Sequence, residues 1–352
     1  MSGRRIAVAC LTPAPDTHEL GELRLPSYGI RRILAAVVAD PLLADSSVGL
    51  VDFGKPDTDA YVDAIMRLDP DLVGLSIYVW SMACMVEVAR RIKRQRPRCA
   101  IVFGGPSACP ALFDLPLFAG AHQYLDAVVT TEGEGIFRDI ARLPELSRTS
   151  LRSVLGLHLP ANGAWLQTGH RSPTEVLDEI ASPFRLDLMP AGSVAYLESY
   201  RGCPLSCRFC EWGASETARA VFSSDYIERE LHAFARHGAP SVFLLDAGLN
   251  PQRRHALPAH RIAAHSGASS CGFWGHSTTR YSPMLNVPTT RRASGRRCTS
   301  SRRWPASRSR SSSRSSSGFL ATRRKISAGV LRVPARCPAP CASTTAWCCR
   351  RR

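Results

Sequence analysis

Three cysteines fall within eight residues of this chain, in the run Arg201-Gly202-Cys203-Pro204-Leu205-Ser206-Cys207-Arg208-Phe209-Cys210-Glu211-Trp212. The spacing is C-x3-C-x2-C, with an aromatic directly before the last cysteine. Three thiolates packed this tightly can hold three irons of a cubane iron–sulfur cluster and leave the fourth iron open to a ligand that is not protein. Zinc is the competing reading. Structural zinc usually takes four closed ligands, often as two separated C-x2-C pairs, and here a second pair would have to come from far away.

With Phe209 preceding Cys210, the run resembles the C-x3-C-x-(aromatic)-C signature of the radical S-adenosylmethionine (SAM) superfamily. The resemblance implies that Cys203, Cys207 and Cys210 ligate a [4Fe-4S] cluster, that SAM binds the open iron, and that Phe209 packs near the adenine.

The elements around this run divide the chain. Arg5–Leu11 is a short apolar strand. A helix around 27–39 carries Ile30, Ile33, Leu34 and Val37 on one face, Ser47–Phe53 is a second strand, and Asp57 is placed to cap a helix to Leu68. A buried strand is predicted over Asp71–Val79. A helix over 81–95 follows, its basic end suiting the helix dipole. Strands at Ala100–Gly104 and Ala127–Thr131 end in Gly104-Gly105-Pro106 and Glu132-Gly133-Glu134-Gly135, and the second leads into a helix to about residue 142. Such alternation argues for an α/β, doubly wound (Rossmann-like) domain with a parallel sheet, whose ligands bind at the carboxyl ends of the strands. Glycines after strands are also common turn punctuation.

Residues 146–190 read as a connector, with a β-hairpin over Gly156–Leu166 centred on Asn162-Gly163. From residue 191 a strand at Val194–Ser199, the cysteine run, a helix over 224–237 and an apolar strand at Ser241–Asp246 follow one another. This is how the radical SAM partial (β/α)6 barrel begins, and barrels of this kind work at the carboxyl ends of their strands.

Taken with the cysteine run, the segments Pro70–Trp80, Val102–Pro106 and Thr131–Gly135 resemble the cobalamin (B12)-binding domain that precedes many radical SAM enzymes. The resemblance covers roughly residues 5–250, with domain limits of 1–145 for the cobalamin domain and 191–250 for the start of the barrel. It implies that Ser76, Gly104 and Gly105 line the cleft for the cobalamin nucleotide tail and that Glu132 and Gly133 lie near the same ligand. Asp16-Thr17-His18-Glu19-Leu20-Gly21 fits the D-x-H-x-x-G pattern that offers a histidine to cobalt, although here the helix starts later than that pattern requires; His18 is otherwise a surface-loop residue. Many relatives carry a glycine-rich acidic motif for the SAM amino group where this chain has Leu245-Asp246-Ala247-Gly248. Asp246 is therefore either a cofactor contact or an acceptor for loop amides.

The implied activity is cobalamin-dependent methylation of an unactivated or aromatic carbon in peptide or secondary-metabolite biosynthesis. The tryptophan 2-C-methyltransferases are a plausible relative. The implied partners are a small-molecule or peptide substrate and an external one-electron reductant. A radical SAM cyclase or rearrangement enzyme, or a cobalamin-binding module without catalysis, are the alternatives.

Charge sets the last stretch apart. Residues 1–250 hold 24 basic and 29 acidic residues, whereas 251–352 hold 21 basic and none acidic, so a net of −5 and one of +21 make up the total of +16. The tail reads as irregular. As a basic disordered arm it would bind nucleic acid through phosphates. The preferred reading is an out-of-frame translation beginning near Asn250–Pro251, because six cysteines and five Trp or Phe residues are foreign to such an arm. Nucleic acid is accordingly the least supported partner. The start of the chain leads into only a short apolar strand, so neither a signal peptide nor a membrane span is expected. Thiol-rich, oxygen-sensitive chemistry suits a reducing cytoplasm. Cys10, Cys84, Cys99 and Cys109 are expected as small buried hydrophobes.

Overall fold

The computed structural model describes residues 3–13, 25–118, 120–203 and 220–247, together with the backbone of Ser270–Phe273 and Leu331–Val333. The first half follows the order β1 (Arg5–Leu11), α1 (Tyr28–Val38), β2 (Ser47–Phe53), α2 (Thr58–Met66), β3 (Leu72–Ser76), α3 (Met82–Gln95) and β4 (Ala100–Gly104). Two four-residue helices come next, α4 (Pro110–Phe113) and α5 (Ala121–Tyr124), then β5 (Ala127–Val129), α6 (Gly133–Arg142), α7 (Arg148–Leu151), β6 (Leu157–Ala161) and β7 (Ala164–Gln167). The second unit has β8 (Ala195–Leu197), β9 (Tyr200–Arg201), β10 (Ala220–Val221), α8 (Ser224–Arg236) and β11 (Ser241–Leu244). The two short tail strands are β12 (Ser270–Phe273) and β13 (Leu331–Val333).

Strands β2, β1, β3, β4 and β5 lie side by side in that order, all parallel. This is a doubly wound order that reverses direction between β1 and β3, the position where such sheets bind ligands. The strands are continuous apolar runs because helices cover both faces. Alternate residues serve opposite cores. Ala7, Ala9, Ile101 and Phe103 pack with α2 and α3 through Tyr61, Ile65, Met85 and Ile92. Ile6, Val8, Ala100 and Val102 pack with α1 and α6 through Ile30, Leu34, Ile136 and Ile140. Asp57 caps α2 as its position suggests, accepting from the Ala60 amide at 3.0 Å.

The hairpin β6–β7 turns at Asn162 and Gly163, both with positive φ (50° and 78°), as a two-residue hairpin loop requires. Rather than standing apart in a connector, it extends the first sheet, with β6 antiparallel to β5. β13 pairs antiparallel with β2 at the opposite edge. In the second unit β8, β11 and β12 form a parallel sheet, α8 lies between β8 and β11 in sequence, and a third core gathers Phe184, Leu197, Tyr226, Leu231, Phe234 and Val242. Cys10, Cys84 and Cys99 are buried as expected; Cys109 is exposed, because it is the residue before α4 and lies outside the core. No helix among the described residues is long and apolar enough to cross a membrane.

Candidate functional site

At the carboxyl edge of the first sheet, Ser76 and Gly104 are register partners at the ends of β3 and β4. The Ile77 amide donates to the Gly104 carbonyl at 2.7 Å, and the Ser107 amide donates to the Ile77 carbonyl at 3.1 Å. This closes a tight corner around Gly105, whose φ is +102°. A Cβ there would lie 2.9 Å from the Ile77 oxygen and 3.2 Å from Ser76 Oγ, so only glycine fits. Gly104 differs. A Cβ on it would meet only Val129 Cβ, at 3.9 Å, so the domain's own packing does not demand glycine there. Ser76, Gly104 and Gly105 thus come together as a small cradle with bare backbone.

Beside the cradle the chain after β3 turns at Tyr78-Val79-Trp80. Ser81, fully buried, holds the turn by accepting from the Tyr78 amide at 2.9 Å. Trp80 stacks on Tyr78 (centroids 4.6 Å apart, 16° between planes) and donates Nε1–H to the Leu11 carbonyl at the end of β1 (3.3 Å). It therefore bridges β1 and β3, where the strand order reverses. Val79 and Trp80 nonetheless remain 78% and 53% exposed. Sequence reasoning missed this platform, because nothing in the residue pattern distinguishes an exposed Trp from a packed one.

The loop after β5 carries Glu132 and Gly133. A Cβ on Gly133 would come within 3.0 Å of Ile33, so glycine lets α6 approach α1. Glu132 Oε2 accepts from the Thr174 amide at 3.0 Å, and Oε1 stands 3.5 Å from Arg201 Nη1. Glu134 pairs with Arg201 and lies 3.7 Å from Arg32 Nε. Glu198 completes the group, 3.0 Å from Arg201 Nε and 3.5 Å from Arg32 Nη2, and Arg32 Nη1 donates to the Tyr226 hydroxyl at 3.0 Å. Burial alone would raise the Glu134 carboxyl, but Arg201 and Arg32 outweigh it and hold the group at about 2. Burial works against the Arg201 charge, and Glu134 and Glu198 more than restore it. Arg32 was invisible in the sequence; the signal is a pair of arginines, Arg31-Arg32, inside an otherwise apolar helix, both buried.

Arg201 leads directly to the cysteine run. β9 pairs antiparallel with β10, Tyr200 with Val221 and Arg201 with Ala220. Gly202 takes a positive φ of 86°, and the Cys203 thiol is free and partly exposed. Asp246, just beyond β11, accepts from the Ser199 amide at 2.8 Å and from the Ser199 hydroxyl. Burial raises its pKa against those bonds. In this structure Asp246 serves the backbone leading to the cysteines. Cys207, Cys210, Phe209 and His18 lie outside the described residues. Among the described residues no group of three or more His, Cys, Asp or Glu is placed to hold a metal, so the cluster reading rests on spacing and on Cys203.

The fold is a doubly wound domain with a glycine corner at the carboxyl ends of β3 and β4, followed by a strand, a cysteine segment and a parallel β/α unit, and it is of a class that takes ligands at its carboxyl edge. A family model described as the B12 binding domain matches residues 23–141, which hold the sheet strands β2 to β5 and the Ser76–Gly104–Gly105 corner. Similar curated proteins include methyltransferases. 2-(S-pantetheinyl)-carbapenam-3-carboxylate methyltransferase of Streptantibioticus cattleyicolor is 34% identical over 212 residues, 55% of this chain and 30% of that protein. The cobalamin-dependent radical SAM methyltransferase TokK of Streptomyces tokunonensis is 29% identical over 213 residues, 57% of this chain and 30% of that protein. The solved structure of the cobalamin-dependent SAM radical enzyme OxsB, with aqua-cobalamin and SAM bound, shares the fold at a TM-score of 0.52 and 18% identity, over 75% of this chain and 36% of that one. The chain thus spans about 30% of the length of these two curated relatives.

Proposed function

We propose that this chain acts as a cobalamin-dependent radical SAM methyltransferase on an unactivated or aromatic carbon of a peptide or secondary metabolite. It would work in a reducing cytoplasm with an external one-electron donor. The observation that carries the reading is the ion pair between Glu134, after β5 at the same carboxyl edge as Ser76, Gly104 and Gly105, and Arg201, two residues before Cys203. When bound, the cluster supplies an electron to the SAM sulfonium and the corrinoid carries a methyl group.

The chain's own residues bind and orient. Gly105 sets the corner that lets a ligand reach backbone at Gly104, and Ser76 offers a hydroxyl at its floor. Trp80 and Val79 present an apolar surface that a flat macrocycle can cover. Cys203, Cys207 and Cys210 are the thiolates for the cluster. Gly133 brings α6 onto α1, and Glu132 ties the loop beside the cradle to Thr174 and Arg201.

The test is anaerobic reconstitution of the whole chain with iron, sulfide and hydroxocobalamin, followed by metal, sulfide and corrinoid analysis and a SAM-cleavage assay. Uptake of both cofactors, loss of iron in Cys207→Ala and cleavage of SAM are the expected results. Well-folded protein that takes up neither cofactor would end the reading. Corrinoid uptake without iron would reduce it to a cobalamin-binding module.

A further inference from the structure

Arg201 stands two residues before Cys203, and three carboxylates surround its guanidinium: Glu134, Glu132 and Glu198. Two of these open α6, at the carboxyl edge of the first sheet. That edge also carries the cradle. The third lies at the end of β8. Arg32 on α1 links Glu134 to Glu198 a second time and reaches the Tyr226 hydroxyl on α8. The side chains of these five charged residues are all at least four-fifths buried. Exposed ion pairs on long side chains would not hold a register. Buried ones do, because removing a single partner strands a charge. Arginine's planar fork also fixes directions that a lysine ammonium leaves free.

We propose that Arg201 is a positioning residue that couples the two halves of the site: a ligand in the cradle steadies the loop at Glu132 and Glu134, and through Arg201 that loop steadies the segment Glu198–Cys203. This rests on the cobalamin reading above. Linkage makes the coupling reciprocal, so order in the cysteine segment returns to the cradle as affinity.

The test follows amide hydrogen exchange in the whole chain, with and without hydroxocobalamin, over residues 198–203, using residues 72–76 of β3 as a gauge of the fold. Hydroxocobalamin is expected to slow exchange in 198–203 about fivefold in the native chain. Arg201→Lys and Glu134→Gln are expected to abolish that slowing while the corrinoid spectrum still shows binding. Slowing that survives in both variants overturns the proposal, and so does a native chain that binds hydroxocobalamin without slowing. A native chain that binds none fails the cobalamin reading itself, and the coupling falls with it. Should Arg201→Lys also loosen β3, Glu134→Gln carries the test, because it leaves Arg201 its other two carboxylates.

Discussion

Asp246 takes both hydrogens that Ser199 offers, the amide at 2.8 Å and the hydroxyl, and so joins the end of β11 to the residue that lies two beyond β8 and directly before β9. Both residues are buried. Asp246→Ala would leave two buried donors unpaired and is expected to cost about 1–3 kcal/mol. Asp246→Asn keeps an acceptor for the amide, and the serine hydroxyl can rotate to accept from the new NH2, so its cost is expected below about 1 kcal/mol. Denaturant unfolding measures both. The same Asn variant separates the two sequence readings of Asp246. Unchanged SAM affinity marks an acceptor for loop amides, and lost affinity at native stability marks a cofactor contact.

Gly104 and Gly105 are adjacent but should respond differently. Gly105→Ala must place a side chain at φ +102°, 2.9 Å from the Ile77 oxygen, and is expected to destabilise by about 1–3 kcal/mol. At Gly104 the added methyl meets only Val129 at ordinary contact distance, so stability should move by less than about 1 kcal/mol. If a ligand approaches Gly104, cobalamin affinity should still fall by about tenfold or more, since a clash worth about 1.4 kcal/mol is a factor of ten. Spectral titration with hydroxocobalamin, set beside unfolding midpoints, reads both effects. A Gly104→Ala chain with native affinity would remove Gly104 from the site.

Trp80→Ala tests the platform. Truncation removes the stack on Tyr78 and the hydrogen bond to the Leu11 carbonyl, so stability should fall by about 1–2 kcal/mol. Covering about half of the indole's exposed part is worth roughly 1–2 kcal/mol at about 25 cal/mol per Å². Cobalamin binding is therefore expected to weaken about tenfold, and equal titration curves for native and variant chains would contradict it.

The fold was legible where a local pattern decides the structure. β1, β2 and β4 begin and end at the residues expected, because strands buried on both faces are unbroken apolar runs. Asp57 and Asn162-Gly163 are chemical signals with one geometric meaning each. β3 was read as far as Val79 but stops at Ser76, because the Ile77 amide and carbonyl turn toward Gly104 and Ser107. The helices α4 and α5 escaped notice because four residues carry no periodicity. Of the candidate site, Gly104-Gly105 was legible as a corner after β4, and Cys207 and Cys210 lie outside the described residues. The ion network was not legible, because periodicity alone sends Arg31 and Arg32 to solvent. The partners that keep Arg32 buried, Glu134, Glu198 and Tyr226, are more than a hundred residues away.

The depressed pKa of Glu134 gives the network a pH signature. The group sits at about 2 in the folded chain, against 4.5 for an ordinary glutamate. A carboxyl lowered on folding contributes stability that is complete above the unfolded value and drains away as pH falls through the folded one. The window is therefore pH 4.5 down to about 2. At pH 7 Glu134→Gln should be destabilised by about 3 kcal/mol, the size of the shift, while Arg201 keeps Glu132 and Glu198. As the pH is lowered through the window, the native chain should lose its advantage and the two unfolding curves should converge. The glutamine variant lacks the titrating group and should show the shallower acid limb. Parallel acid limbs for the two chains would mean that Glu134 gains nothing from Arg201 and Arg32, and the joint between the cradle and the cysteine segment would have to lie elsewhere.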